Sequence, residues 1–211
     1  MARPMAFDRD TAIDSAMRLI WRDGYEASSV KSVSEALGIT RSSYYNTFRS
    51  RDALYALALG RYFEVIPERT LFTDAAERDF PAVLTATLRE VCRVRTTTFR
   101  GLGCMAANGM AELLPARSKA GDAVQRATDG FLARLTDLVK GSVERGELPA
   151  DTGIETTAVA IHTLIVGLNL ESKVVQDEAA LWASARATLL GLGLYADGPP
   201  PDPSTASGDS P

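Results

Sequence analysis

The chain has 211 residues, 45% of them hydrophobic, and a formal net charge of −4 at pH 7. This length and apolar fraction suffice to bury a core without a disulfide or a metal staple. Charged residues precede any apolar run at the N-terminus, and no stretch has enough uncharged apolar residues to span a membrane. We therefore expect a cytoplasmic protein with no signal peptide and no membrane contact.

Apolar residues recur three and four positions apart from residue 8 to residue 195, and no alternating strand pattern persists. This spacing predicts an all-α fold. The first helix is expected to begin after Asp8, an N-cap residue, and to end at Asp23-Gly24. Its predicted inward residues are Ala12, Ile13, Ala16, Leu19 and Ile20.

Two short helices should follow, separated by three residues. Ser29 is the expected N-cap of the first and Gly38 its stop, whereas Thr40 is the expected N-cap of the second. Tyr44 and Phe48 lie four residues apart and should point inward from the second helix. The inward residues of the first are Val30, Val33, Ala36 and Leu37. The pair has the pattern of a helix-turn-helix.

A fourth helix, capped by Ser50, should run to about Pro67 and link two domains. Thr152 and Glu155 form a T-x-x-E capping box for a later helix. The helices predicted beyond the fourth span residues 81–100, 104–114, 119–145, 153–170 and 177–195.

The second helix of the helix-turn-helix has a polar outward surface. Its outward residues are Arg41, Ser42, Ser43, Tyr45, Asn46 and Thr47. Each can form a hydrogen bond and none is acidic, as expected of a helix whose N-terminal end enters the major groove of DNA. The alternatives are a polar helix surface without a special function, and a helix-turn-helix that mediates only protein contacts.

We expect Arg41 to contact a guanine edge, and Ser42 or Ser43 to contact a base edge or a thymine methyl group. The expected phosphate contacts come from Tyr45, Thr47 and Arg51, and from backbone N–H groups at the caps Ser29 and Ser50; Thr40 is a further candidate DNA-binding residue. Residues 1–65 contain nine Lys or Arg and eight Asp or Glu, whereas residues 66–211 contain fourteen and nineteen. The acidity therefore lies mainly outside the predicted DNA-binding region.

The stretch GYEASSVKSVSEALGITRSSYYNTFRSRDAL resembles the DNA-binding region of the tetracycline-repressor (TetR) family. The resemblance covers about residues 8–55 and depends on the order G-Y, small cap, A-L-G-I-T, aromatic, F, basic, A-L. It implies a homodimer on a palindromic operator, repression released by a ligand, and a ligand cavity in the C-terminal domain. It also implies that the recognition positions fall on Arg41, Ser42, Ser43, Tyr45, Asn46 and Thr47, and that the basic phosphate contact falls on Arg51.

The sequence departs from the family pattern in two ways. Tyr44 stands where the family more often has an aliphatic residue, and Asn46-Thr47 replace bulkier aromatic or histidine side chains. The operator sequence therefore does not carry over from the family.

Residues 158–170 are apolar nearly all round, and a helix without a solvated face must be covered on both sides. We therefore predict a homodimer interface over residues 154–195, in agreement with the resemblance. The predicted organisation is a helix-turn-helix domain over 1–55, a helical ligand-binding and dimerisation domain over 56–195, and a disordered tail over 196–211.

The small-molecule effector is unknown, and the residues that would bind it have alternative roles. Cys104 should open a helix, where the dipole favours a reactive thiolate, or it is a small buried side chain. The segment GLGCMAANG resembles a G-C-L-x-x-N stretch of some subfamilies. His162 can face a cavity or the dimer interface. The candidate cavity residues, each of which can instead belong to the core, are Cys104, Met105, Asn108, Met110, Phe131, His162 and Thr163.

The sequence has no Gly-rich phosphate loop, no G-x-S-x-G and no H-E-x-x-H, and it contains one histidine. We therefore expect neither an enzyme nor a metal site or cofactor. The predicted function is a transcriptional repressor released by a small-molecule or electrophile effector. The alternatives are a DNA-binding dimer without an effector, and an activator.

Overall fold

The computed structural model describes residues 8–73, 79–115 and 117–197. Regular structure in these residues is entirely helical, which confirms the predicted fold class. The helices are α1 Arg9–Asp23, α2 Val30–Ala36, α3 Arg41–Phe48, α4 Arg51–Val65, α5 Thr70–Thr73, α6 Phe80–Thr96, α7 Met105–Leu113, α8 Lys119–Glu144, α9 Ile154–Glu171 and α10 Glu178–Gly191, with a 3-10 turn at Pro67–Arg69. Most of the predicted tail, residues 198–211, lies outside the described residues.

The first four helices begin where the predicted caps stand. Each cap side chain accepts a hydrogen bond from a backbone N–H in the first turn, which satisfies a group that the helix itself leaves without a partner. The caps and their distances to the donor nitrogens are Asp8 at 3.2 Å, Ser29 at 3.1 Å, Thr40 at 3.1 Å and Ser50 at 3.0 Å.

Several predicted details are wrong. The N-cap of α9 is Gly153, without a side-chain hydrogen bond, so the box predicted at Thr152 does not cap this helix. Helix α10 ends at Gly191 rather than near Tyr195, because Gly193 adopts φ +68° and the next residue, Leu194, donates its N–H back into the last turn. Of the residues predicted to face inward, Leu19 is half-buried and Ala36 is exposed. Met17 and Trp21 of α1 are buried, although they are not among the predicted inward residues.

The described chain forms two compact units. The first comprises the chain through Ile66 together with Cys104–Asp129, and the second comprises Pro67–Gly103 and the chain from Gly130 onward. The domain boundary predicted after residue 55 falls inside α4, which is unbroken from Arg51 to Val65. All of α4 therefore belongs to the first unit.

The core of the first unit lies between α1 and α4. The ring of Trp21 packs edge-on against that of Tyr62, with centroids 4.9 Å apart. Val33, Tyr44 and Phe48 are buried as well, so α2 and α3 contribute to the same core. This packing fixes the orientation of the short helices, which are too short to be stable alone.

The core of the second unit is formed by α6, α9 and α10, with part of α8. Its fully buried members include Leu84, Leu88, Leu135, Ile161 and Leu189. Three buried polar side chains lie in the same unit: Arg95 donates to Asn169 over 2.6 Å and contacts Glu68 at 3.5 Å. None of the helices that the structure describes has the length and apolarity needed to cross a membrane.

Candidate nucleic-acid interface

The turn between α2 and α3 is a Schellman turn centred on Gly38. The N–H of Gly38 donates to Glu35 O at 3.2 Å, and that of Ile39 donates to Ser34 O at 3.0 Å. Gly38 has φ +64°, a left-handed conformation that glycine adopts without a steric penalty. No atom lies within 4 Å of a Cβ built at this position, so the requirement for glycine is conformational.

Helix α3 is held by its aromatic face and presents its polar face outward. Tyr44 is 0% exposed and Phe48 1%, and their rings meet edge-on at 5.3 Å. Tyr45 is 51% exposed, and its ring packs edge-on against Tyr44. The other exposed residues of the polar outward surface predicted for this helix are Arg41, Ser42, Ser43 and Asn46. Thr47 is half-buried, and its hydroxyl donates to Ser43 O at 2.9 Å.

Arg51, the predicted phosphate contact, is braced against the turn that follows α1. Its Nε donates to Ser28 O at 3.1 Å, and its Nη2 donates to Tyr25 O. Its guanidinium lies 3.8 Å above the Tyr25 ring and 3.7 Å from Glu26. The side chain keeps 28% of its surface exposed, so contact with a phosphate and support of the turn are compatible.

Tyr25 connects the same turn to the first turn of α4. Its hydroxyl donates to Asp52, and its ring packs edge-on against Tyr55 at 5.4 Å. Burial, followed by the hydrogen bond to Asp52, raises the pKa of Tyr25 to about 12. Tyr25 therefore stays a neutral donor at physiological pH.

Glu112 of α7 also contacts this turn, within the first unit. Its Oε2 accepts from Tyr25 N at 3.0 Å, and its Oε1 accepts from Glu26 N at 2.7 Å. Sequence reasoning gave Glu112 no role, because it lies 87 residues after Tyr25 and belongs to no motif. Tyr25 belongs to the G-Y pair of the family pattern, but nothing in the sequence indicates its contacts with Arg51 and Asp52.

The predicted ligand-binding residues lie in both units. Cys104 and Met105 are buried at the start of α7 and Asn108 and Met110 are half-buried on it, all in the first unit. In the second unit, Phe131 and His162 are half-buried neighbours with ring centroids 5.8 Å apart, and burial lowers the pKa of His162. Thr163 is exposed and donates to Val159 O at 2.9 Å. Their role in ligand binding remains a prediction.

Large apolar side chains are exposed along α9 and near the end of α10. They are Val159 at 48%, Leu170 at 57%, Leu190 at 50% and Leu192 at 42%. Val159 and Leu170 lie eleven positions, or about three helical turns, apart and therefore share one face of α9. Among the described residues, no group of three His, Cys, Asp or Glu side chains could hold a metal ion.

Two family models match the chain. Residues 12–58 match "Bacterial regulatory proteins, tetR family", and residues 82–188 match "Tetracyclin repressor-like, C-terminal domain". The chain is 26% identical over 174 residues to the HTH-type transcriptional repressor ComR of Escherichia coli (strain K12), covering 81% of this chain and 82% of ComR. It is 32% identical over 110 residues to the repressor BdcR of the same organism, covering 51% and 55%.

A solved structure of similar fold is that of the TetR family transcriptional regulator CifR, a cysteine mutant complexed with 26-bp double-strand operator DNA. Its TM-score is 0.77 and its sequence identity 26%, and the match covers 90% of this chain and 98% of that one.

Proposed function

Because the chain belongs to the TetR family of bacterial regulatory proteins, we propose that it is a repressor that binds a palindromic operator as a homodimer and is released by an effector. The observation that carries this proposal is the exposed, non-acidic face of α3, which Tyr44 and Phe48 hold outward. CifR, which is similar over 90% of the chain, binds operator DNA, and ComR and BdcR are repressors; these relatives support operator binding and repression.

In this proposal α3 enters the major groove. Arg41, Ser42 and Ser43 occupy its first turn, from which such helices contact base edges. Tyr45 and Arg51 would contact phosphates on either side, since the ring of the former is half-exposed and the latter retains exposed surface. We expect the base contacts to set sequence preference and the phosphate contacts to set affinity.

The exposed apolar residues of α9 and α10 support the homodimer. Four large apolar side chains that are 42–57% exposed in one protomer would be covered by a second copy. Dimerisation through residues 154–195 would place two copies of α3 on the two halves of a palindrome. We expect Leu170→Asp to give monomers in sedimentation experiments, with Lys140→Asp on α8 as a matched exposed control.

The effector is proposed to be a small molecule or an electrophile. A small molecule would bind among the half-buried Phe131 and His162 and their neighbours, where apolar rings accompany a few polar groups. An electrophile would modify Cys104, which is the N-cap residue of α7 and is buried in the unmodified protein. We expect the protein to act in the cytoplasm, where its DNA target lies.

Selection of bound duplexes from a genomic library by the purified protein tests the proposed function. We expect one enriched palindromic sequence, a stoichiometry of two chains per site, and affinity that falls steeply with salt. Failure to enrich any duplex would refute DNA binding and favour a helix-turn-helix used only for protein contacts, whereas duplex binding that is indifferent to salt would refute the proposed phosphate contacts. Increased transcription from the selected promoter would identify an activator.

A further inference from the structure

The turn between α1 and α2 is held by a residue from outside the helix-turn-helix. The Glu112 carboxylate of α7 receives the backbone N–H groups of Tyr25 and Glu26 on its two oxygens. Hydrogen bonds to an ionised acceptor are roughly twice as strong as neutral ones. Two such bonds from one side chain fix both the position and the orientation of the turn.

The carbonyl groups of the same turn are held from α4. Arg51 donates to the carbonyl oxygens of Tyr25 and Ser28, and its guanidinium covers the Tyr25 ring. An anion therefore holds the N–H groups of the turn, and a cation holds its carbonyl groups. Because both sets of bonds share Tyr25, displacement of the turn also moves the acceptors that orient Arg51.

Two glycines permit this arrangement. Gly24 has φ +83°, so glycine supplies the turn conformation, and a Cβ built there would lie 3.4 Å from Glu112 Oε2, at ordinary contact distance. A Cβ at Gly109 of α7 would collide with the hydroxyl of Tyr55 on α4. Since α7 lies this close to α4, Glu112 projects from a fixed base.

We propose that Glu112 is a positioning residue for operator binding: it holds the α1–α2 turn and thereby orients Arg51, without touching DNA itself. This inference rests on the proposed function, because it assigns Arg51 a phosphate contact. It extends the DNA-binding apparatus to α7, beyond residues 12–58 that match the N-terminal family model.

The test compares the full-length wild type with Glu112→Ala and Glu112→Gln on the selected operator duplex. Glu147→Ala is the matched control, since Glu147 also accepts a backbone N–H, that of Phe80 at 3.1 Å, but lies in the second unit. We expect Glu112→Ala to weaken binding about tenfold or more, which corresponds to about 1.4 kcal/mol. Glu112→Gln should bind with intermediate affinity because it keeps one acceptor, and Glu147→Ala should bind like the wild type.

A double-mutant cycle with Arg51→Ala distinguishes positioning from general destabilisation. If Glu112 acts through Arg51, the losses of operator affinity in the two single variants do not add up in the double variant. Each single variant then also makes the slope of log affinity against log salt shallower, by about the contribution of one phosphate contact.

Wild-type affinity in Glu112→Ala, additive losses, or an equal loss in Glu147→Ala would overturn the inference. If Glu112→Ala fails to fold by circular dichroism, the cycle with Glu112→Gln decides by the same criterion. Failure of the wild type to bind any duplex would refute the proposed function instead.

Discussion

Replacing Tyr44 with Phe should stabilise the protein. Tyr44 is 0% exposed, and its hydroxyl oxygen has no hydrogen-bond partner among the described residues. A buried hydroxyl without a partner costs about 1–3 kcal/mol, whereas Phe keeps the ring packing against Phe48. A gain of about 1 kcal/mol would raise Tm by about 2–4 °C for a chain of this size. The position is also one where the family more often has an aliphatic residue.

The stability difference should increase at alkaline pH. Burial raises the pKa of Tyr44 to about 12, above its ordinary value near 10. The contribution of the neutral phenol is therefore fully present below about pH 10 and is lost as the pH rises toward 12. Tyr44→Phe removes this loss, so its advantage in the free energy of unfolding should grow across that interval.

Thermal and urea unfolding at pH 7 and between pH 10 and 11 measures both effects. Tyr25→Phe is the matched control and should lower Tm at pH 7. The Tyr25 hydroxyl donates to Asp52, so its removal leaves this carboxylate with one hydrogen-bond donor fewer. A lower Tm for Tyr44→Phe at pH 7, or Tm shifts of the same sign in both variants at pH 7, would refute the reasoning. Operator affinity should be unchanged in Tyr44→Phe, since its side chain faces the core.

Three further predictions concern recognition, release and acid stability. Arg41→Ala should relax base preference at a cost of about 1–3 kcal/mol on the operator, whereas Arg51→Ala should weaken all duplexes alike; equal losses on every sequence would contradict this division. Thiol-reactive compounds should release DNA from the wild type but not from Cys104→Ser, and release from Cys104→Ser would refute the electrophile hypothesis. Cys92→Ser is the control and should behave like the wild type, because burial raises the pKa of the Cys92 thiol to about 12. Hydrogen bonding, first from Arg145, lowers the pKa of Glu147 to about 2, so its stabilisation is present above about pH 4.5 and is lost as the pH falls toward 2. Thermal unfolding of Glu147→Gln should accordingly depend less on pH in that interval, and a profile identical to the wild type would count against the pKa assignment.

Helix bounds in the N-terminal unit were predictable because they depend on residues close together in the chain. The caps Asp8, Ser29, Thr40 and Ser50 act on backbone groups two or three residues ahead. Gly38 ends α2 through its own backbone conformation. The same local logic failed at Thr152, where the helix begins one residue later, after Gly153. A capping pattern identifies candidate N-cap residues, and the tertiary packing of the helix determines at which of them the helix begins.

The outward face of α3 was also predictable, since the apolar pair Tyr44 and Phe48 determines which side of a short helix is buried. The interactions that hold this helix-turn-helix in place were not. The sequence predicts a phosphate contact for Arg51, and the structure shows that Arg51 also donates to carbonyl groups 23 and 26 residues earlier in the chain. Nothing in the local sequence indicates such partners.

By itself, the sequence determined the all-helical class, the family, the N-caps and the polar reading surface, because each depends on spacings of a few residues. Only the tertiary structure assigned Glu112 to the α1–α2 turn and placed Tyr55 against Gly109. These contacts join residues 87 and 54 positions apart, and a hydrogen bond or a close approach over that separation exists only after the helices have packed. The proposed DNA-binding surface of α3 is therefore a local feature of the sequence, and the contacts that support it are a product of the fold.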